Sequence, residues 1–75
     1  MTKLEISNAL GQALAARGLS YRHGSRLMSD LGLDSYALVA LIMEVEGTLG
    51  AEFDDAAQAL FAEAPLAEIC ARLAP

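Results

Sequence analysis

Ser35 is the residue of this chain best placed for chemistry, and its surroundings narrow what that chemistry is. It follows Asp34 and precedes a run in which Leu38, Leu41, Ile42, Val45 and Leu49 share one stripe at helical spacing, so it falls in the first turn of a helix that Asp34 caps. A serine there presents its hydroxyl to solvent beside backbone N–H groups that lack intrahelical partners, and such donors favour a phosphate. A phosphodiester on Ser35 would be well accommodated. Hydrolysis is disfavoured, because no base, oxyanion hole or metal cluster accompanies the serine. His23 has no His, Cys or acidic companions at ligand spacing and is expected on the surface. Cys70 reads as a small core residue. The chain is therefore not read as an enzyme, and neither a catalytic residue nor a metal site is expected. The plainer reading of Asp34-Ser35 alone is a helix cap with no further role.

The elements that must hold Ser35 follow from spacing. Thr2 and Glu5 have the form of a capping box, and Ile6, Ala9, Leu10, Ala13 and Leu14 repeat at helical spacing, which predicts a first helix from about Lys3 to Arg17 closed by Gly18. Residues Leu19 to Leu33 show no sustained period and contain two Gly and three Ser, a long connection for so small a domain, with Leu19, Leu27 and Leu31 as candidate anchors to the core. The second helix runs from Asp34 to near Gly50. Asp54 and Asp55 suit the start of a short helix through Ala56 to Ala62, where negative charge complements the helix dipole. Pro65 fits the first turn of a last helix carrying Leu66, Ile69, Cys70 and Leu73 inward.

Seventy-five residues make one domain, 1–75, since a chain this short removes only about 60% of its unfolded surface on folding. The fold class expected is all-α: a four-helix bundle with a short third helix and a long loop between helices 1 and 2. With two Phe, two Tyr and no Trp, its core is built from Leu, Ile, Val, Ala and Met, and Phe53 and Phe61 are expected as lids over one end of the bundle. One cysteine excludes an internal disulfide and points to a reducing compartment, so the location expected is cytoplasmic. No secretory signal or membrane span is evident, and the chain is expected to be soluble, complete and monomeric. Four of its five basic residues precede Met28, whereas the segment from Met28 to Ala71 holds nine acidic residues and no Lys or Arg. That asymmetry disfavours nucleic acid and anionic lipid and favours basic protein surfaces as partners. Acidity for solubility alone is the competing explanation.

The segment Asp30-Leu31-Gly32-Leu33-Asp34-Ser35-Tyr36 closely resembles the attachment motif of acyl carrier proteins, Asp-Leu-Gly-x-Asp-Ser-Leu. The long loop before it, the Leu-, Val- and Met-rich helix after it, Glu52-Phe53-Asp54-Asp55 and the last amphipathic helix extend the resemblance over nearly the whole chain. It implies an acyl-carrier-like bundle in which Ser35 takes 4′-phosphopantetheine from coenzyme A by way of a phosphopantetheinyl transferase. The arm would hold an acyl or aminoacyl group as a thioester. Asp34 would help place the transferase's metal or basic residues, and Gly32 would leave the approach clear. A loading ligase or acyltransferase, and downstream enzymes with basic docking surfaces, would be the other partners. Tyr36 departs from the family's usual aliphatic residue, and with Glu52-Phe53 it is also similar to stand-alone aminoacyl carriers. The Gly-x-Asp-Ser form is unlike the Gly-Gly-His/Asp-Ser form of peptide synthetases. An unmodified helical interaction adaptor is the alternative from another functional class.

At about 100° per residue, the face of the second helix opposite its core stripe carries Tyr36, Ala40, Met43 and Gly47, with Ala37 and Glu44 alongside and Val39 nearer the border. A solvated face is normally charged, so small and apolar residues here predict a docking surface. The competing expectation is that Met43 is partly covered by the third helix. In acyl carrier proteins this face meets partner enzymes and is usually more acidic.

Overall fold

Helices begin in this chain where a side chain or a neighbouring loop takes over amides that the helix leaves unpaired. In the computed structural model, which describes residues 1–75, there are four: α1 Lys3–Ala15, α2 Ser35–Leu49, α3 Asp55–Glu63 and α4 Leu66–Leu73. Thr2 and Glu5 form the predicted capping box, with Thr2 N–H to Glu5 Oε1 at 2.8 Å and Glu5 N–H to Thr2 Oγ1 at 3.1 Å. Asp34 and Asp54 each accept from the amide three residues on, that of Ala37 at 2.8 Å and that of Ala57 at 2.9 Å.

The all-α, four-helix expectation holds, with differences at the ends. α1 stops at Ala15 rather than Arg17, because Gly18 (φ 74°) closes it: Gly18 N–H reaches Ala15 O at 3.0 Å and Leu19 N–H reaches Leu14 O at 2.9 Å. α3 begins at Asp55, as expected, and ends one residue past Ala62, and α4, at 8 residues, is shorter than the 9-residue α3. Pro65 precedes α4 instead of lying in its first turn and offers no side-chain cap. Carbonyls of the α1–α2 connection fill that role, those of Ser25 and His23 accepting from Leu66 N–H and Ala67 N–H at 2.9 Å each. Arg26 strengthens the junction through a backbone bridge to Pro65 and a 3.1 Å bond from Nε to Glu63 O.

The 18 buried residues are all hydrophobic. Ile6, Leu10 and Leu14 of α1 meet Leu41 and Val45 of α2 and Leu66 and Ile69 of α4 in one core cluster. Each such side chain, fully buried, contributes about 1.5–3 kcal/mol relative to exposure. Leu27 is wholly buried, and Leu19 and Leu31 pack against the core more shallowly, so the connection is anchored along its length. α1 packs on α2 and α4, while α3 touches only α2 and α4. Phe61 carries α3 into the core, its ring tilted 37° against Phe53 with centroids 5.3 Å apart. Both phenylalanines are thus core residues, as expected. Leu49, placed near the centre of the core stripe by its spacing, is only half-buried, because α2 ends on it and Gly50 (φ 65°) turns the chain away. No helix is long and apolar enough to cross a membrane.

Candidate functional site

Ser35 stands exposed as the first residue of α2, on a backbone held from both sides. Upstream, the Asp30 carboxylate accepts from Arg26 N–H at 2.7 Å, Gly32 N–H reaches Met28 O and Leu33 N–H reaches Leu27 O, both at 3.1 Å. Leu33 is buried and Leu31 half-buried, so these two leucines clamp the turn to the core. Gly32 lies between them at φ 77°, a left-handed conformation that explains the glycine, since an added Cβ would meet nothing within 4 Å. Its requirement is backbone geometry, not packing. Downstream, Asp34 is extended (φ −81°, ψ 176°), caps Ala37 through Oδ1 and accepts from Leu38 N–H at 2.9 Å through its carbonyl.

The first turn of α2 therefore keeps the amides of Ser35 and Tyr36 as its open donors, beside an exposed hydroxyl. These residues fit a phosphodiester: donors and helix dipole face it, no side chain roofs it, and the serine is rigidly placed. The single adverse feature is the Asp34 carboxylate, one oxygen of which is committed to the Ala37 amide.

Beyond Ser35 the outward face of α2 is apolar. Tyr36 is 86% exposed, Val39 53% and Met43 64%, and with Ala40 these residues line a shallow groove of about 300 Å³. Met43 is thus not covered by α3. Val39, assigned nearer the border, belongs fully to this face, and Ala37, assigned alongside it, is half-buried against the core. Gly47 is exposed near the helix end with no neighbour within 4 Å of an added Cβ, so internal packing does not call for a glycine, which costs about 1 kcal/mol relative to Ala in a helix.

The acidic side chains nearby are largely engaged within the fold. Glu44 pairs with Arg17 at the end of α1. Glu46 Oε2 accepts from Phe53 N–H at 2.7 Å, and Glu68 lies 3.7 Å from Arg72. The pairing of Glu44 with Arg17 was not legible in the sequence, since the two are 27 residues apart.

A second group of polar side chains sits elsewhere. Tyr21 Oη lies 3.5 Å from the sulfur of buried Cys70 and 3.4 Å from Nδ1 of exposed His23, whose ring meets it edge-on. Burial first, and the contact with Cys70 second, hold the Tyr21 phenol above its ordinary range. Tyr21 was not among the sequence candidates, and its only signal was an aromatic ring in a polar connection. No group of three His, Cys, Asp or Glu side chains is gathered closely enough to hold a metal ion. The largest groove, about 440 Å³ beside Phe53, Leu60 and Arg72, does not include Ser35.

Compared with protein-family models, with curated proteins and with solved structures, the chain gives no match.

Proposed function

We propose that this chain is a carrier protein, in which Ser35 is joined to 4′-phosphopantetheine and the arm presents an acyl or aminoacyl thioester to the enzymes of a biosynthetic pathway. The observation that supports this most is the placement of Ser35: exposed at the start of α2, on a turn fixed by Leu31, Gly32, Leu33 and Asp34, beside two open amides. The chain supplies no base of its own there, so an external phosphopantetheinyl transferase performs the attachment. Ser35 Oγ attacks the β-phosphorus of coenzyme A and forms the new P–O bond. The bond from that phosphorus to its bridging oxygen breaks, adenosine 3′,5′-bisphosphate departs, and the hydroxyl proton passes to the transferase. The thiol of the arm supplies thioester chemistry. Asp34 fixes the first turn and offers its free oxygen to the transferase, while Gly32 leaves the approach open.

A loading ligase or acyltransferase then charges the arm. The carrier works in the cytoplasm as a monomer, a setting compatible with its buried free thiol. Enzymes with basic docking surfaces would meet Glu52, Asp55 and Glu63, acids that no salt bridge within the chain neutralises. Intact mass after incubation with coenzyme A and a transferase, with Ser35→Ala as control, tests the proposal. One observation favours a second reading, an unmodified helical adaptor: the apolar face of α2 is a binding surface whether or not Ser35 carries an arm.

A further inference from the structure

We propose that the groove between the start of α1, the α1–α2 connection and α4 binds a small apolar monocarboxylate, whose charged end meets Lys3 and the Tyr21 hydroxyl while its hydrocarbon lies against Leu4, Ala67 and Ala71. The groove measures about 400 Å³, towards the lower end of small-molecule sites, which run from about 300 to about 1,000 Å³. α1, the connection and α4 each supply a wall of it. No residue of α2 lines it, so the site stands apart from Ser35 and does not rest on the carrier reading. Leu4 is 68% exposed at its edge, whereas Leu10 and Leu14 of the same helix are wholly buried, so apolar surface is left there for a ligand to cover.

Two observations select an anion. The first is Tyr21, whose ring is half-buried against the core while its hydroxyl has only weak partners. The 3.4 Å to His23 Nδ1 is long for a hydrogen bond, and the Cys70 thiol is a poor donor and a poor acceptor. Burial holds the phenol above its ordinary range, so it keeps a proton to donate at neutral pH. A carboxylate is the acceptor that uses such a proton best, in a charge-assisted bond. The second is the charge of the walls. The chain has ten acidic and five basic residues, yet none of its acids lines this groove. Lys3 does line it and forms no salt bridge within the chain, and His23 is the other basic group there. A cationic ligand would find no counter-charge in these walls. A neutral alcohol would leave Lys3 without one.

Nuclear magnetic resonance titration of the whole chain with phenylacetate tests the site, with phenylethanol and phenylethylamine as neutral and cationic controls of similar shape. Saturable shifts are expected at the amides of Ser7, Tyr21, Ala67 and Ala71, with a Kd in about the millimolar range that so small a ligand reaches. Phenylethanol should bind this groove about tenfold more weakly, and phenylethylamine more weakly still. Lys3→Gln, a change at an exposed side chain, should leave the thermal midpoint unaltered and raise the Kd of phenylacetate about threefold or more without affecting phenylethanol. Tyr21→Phe keeps the ring and should weaken phenylacetate about fivefold. Equal binding of phenylacetate and phenylethanol, or phenylacetate binding indifferent to Lys3→Gln, would overturn the proposal. So would shifts centred on the larger groove beside Phe53 and Leu60, or no saturation below about 50 mM phenylacetate. Ser35→Ala should bind as wild type does, so failure of this site and failure of the carrier reading are told apart.

Discussion

Arg17 reaches from the end of α1 to Glu44 on α2 while its Nη1 also donates to Ala13 O at 2.8 Å, so one guanidinium closes α1 and pins it to the helix that bears Ser35. The two side chains are 28% and 44% exposed, which limits the strength of the pair. A double-mutant cycle with Arg17→Ala and Glu44→Gln should give a coupling of about 0.5 kcal/mol in urea unfolding, shrinking in high salt. Equal coupling at low and high salt would show that the contact is not chiefly ionic.

Asp34 has two roles that substitution can separate. Asp34→Ala should cost about 1 kcal/mol of stability through loss of the bond to the Ala37 amide. Asp34→Asn keeps a capping oxygen and should stay near wild-type stability, yet be modified more slowly if the carboxylate helps to place the transferase. Denaturation curves and modification rates on the same two proteins decide the matter. Parallel losses in both would reduce Asp34 to a cap.

The helix starts were legible in the sequence because their caps are local: Thr2 with Glu5, Asp34 and Asp54 each bond an amide three residues away. The core stripe of α2 followed from a period that burial reproduces at Leu38, Leu41, Ile42 and Val45. What escaped was non-local. The start of α4 is held by carbonyls of Ser25 and His23 some forty residues earlier, which no window around Pro65 contains. The pairing of Glu44 with Arg17 was hidden likewise, so a glutamate assigned to a docking face is tied within the fold. The candidate site could be singled out because Asp30 to Tyr36 is contiguous, and Gly32's left-handed backbone accounts for the glycine in it.

Phe61 is the residue on which α3 depends. It is wholly buried, and the only other buried residue of that helix is Ala57. Phe61→Ala should cost about 3–5 kcal/mol, a large share of the roughly 5–15 kcal/mol that holds a small domain folded. Circular dichroism against urea should show a much earlier midpoint. A loss below about 1 kcal/mol would mean that α3 contributes little to the core.

Acid should loosen the start of α1. Hydrogen bonds from the Thr2 backbone, then from its side chain, hold the Glu5 carboxyl below its usual value of 4.5. A pKa depressed in the folded state gives a contribution fully present above the unfolded value and lost as pH falls through the folded one. Stability of wild type should therefore fall more steeply than that of Glu5→Gln as pH drops below 4.5. Parallel profiles of the two proteins would contradict the capping role.

The most direct measurement is the intact mass of the chain after incubation with coenzyme A and a phosphopantetheinyl transferase, followed by fragmentation to locate the added group. The carrier reading predicts one phosphopantetheine per chain, on Ser35, and none on Ser35→Ala. Unmodified wild-type protein in the presence of a transferase that modifies a control substrate, or an arm found on another residue, would contradict it.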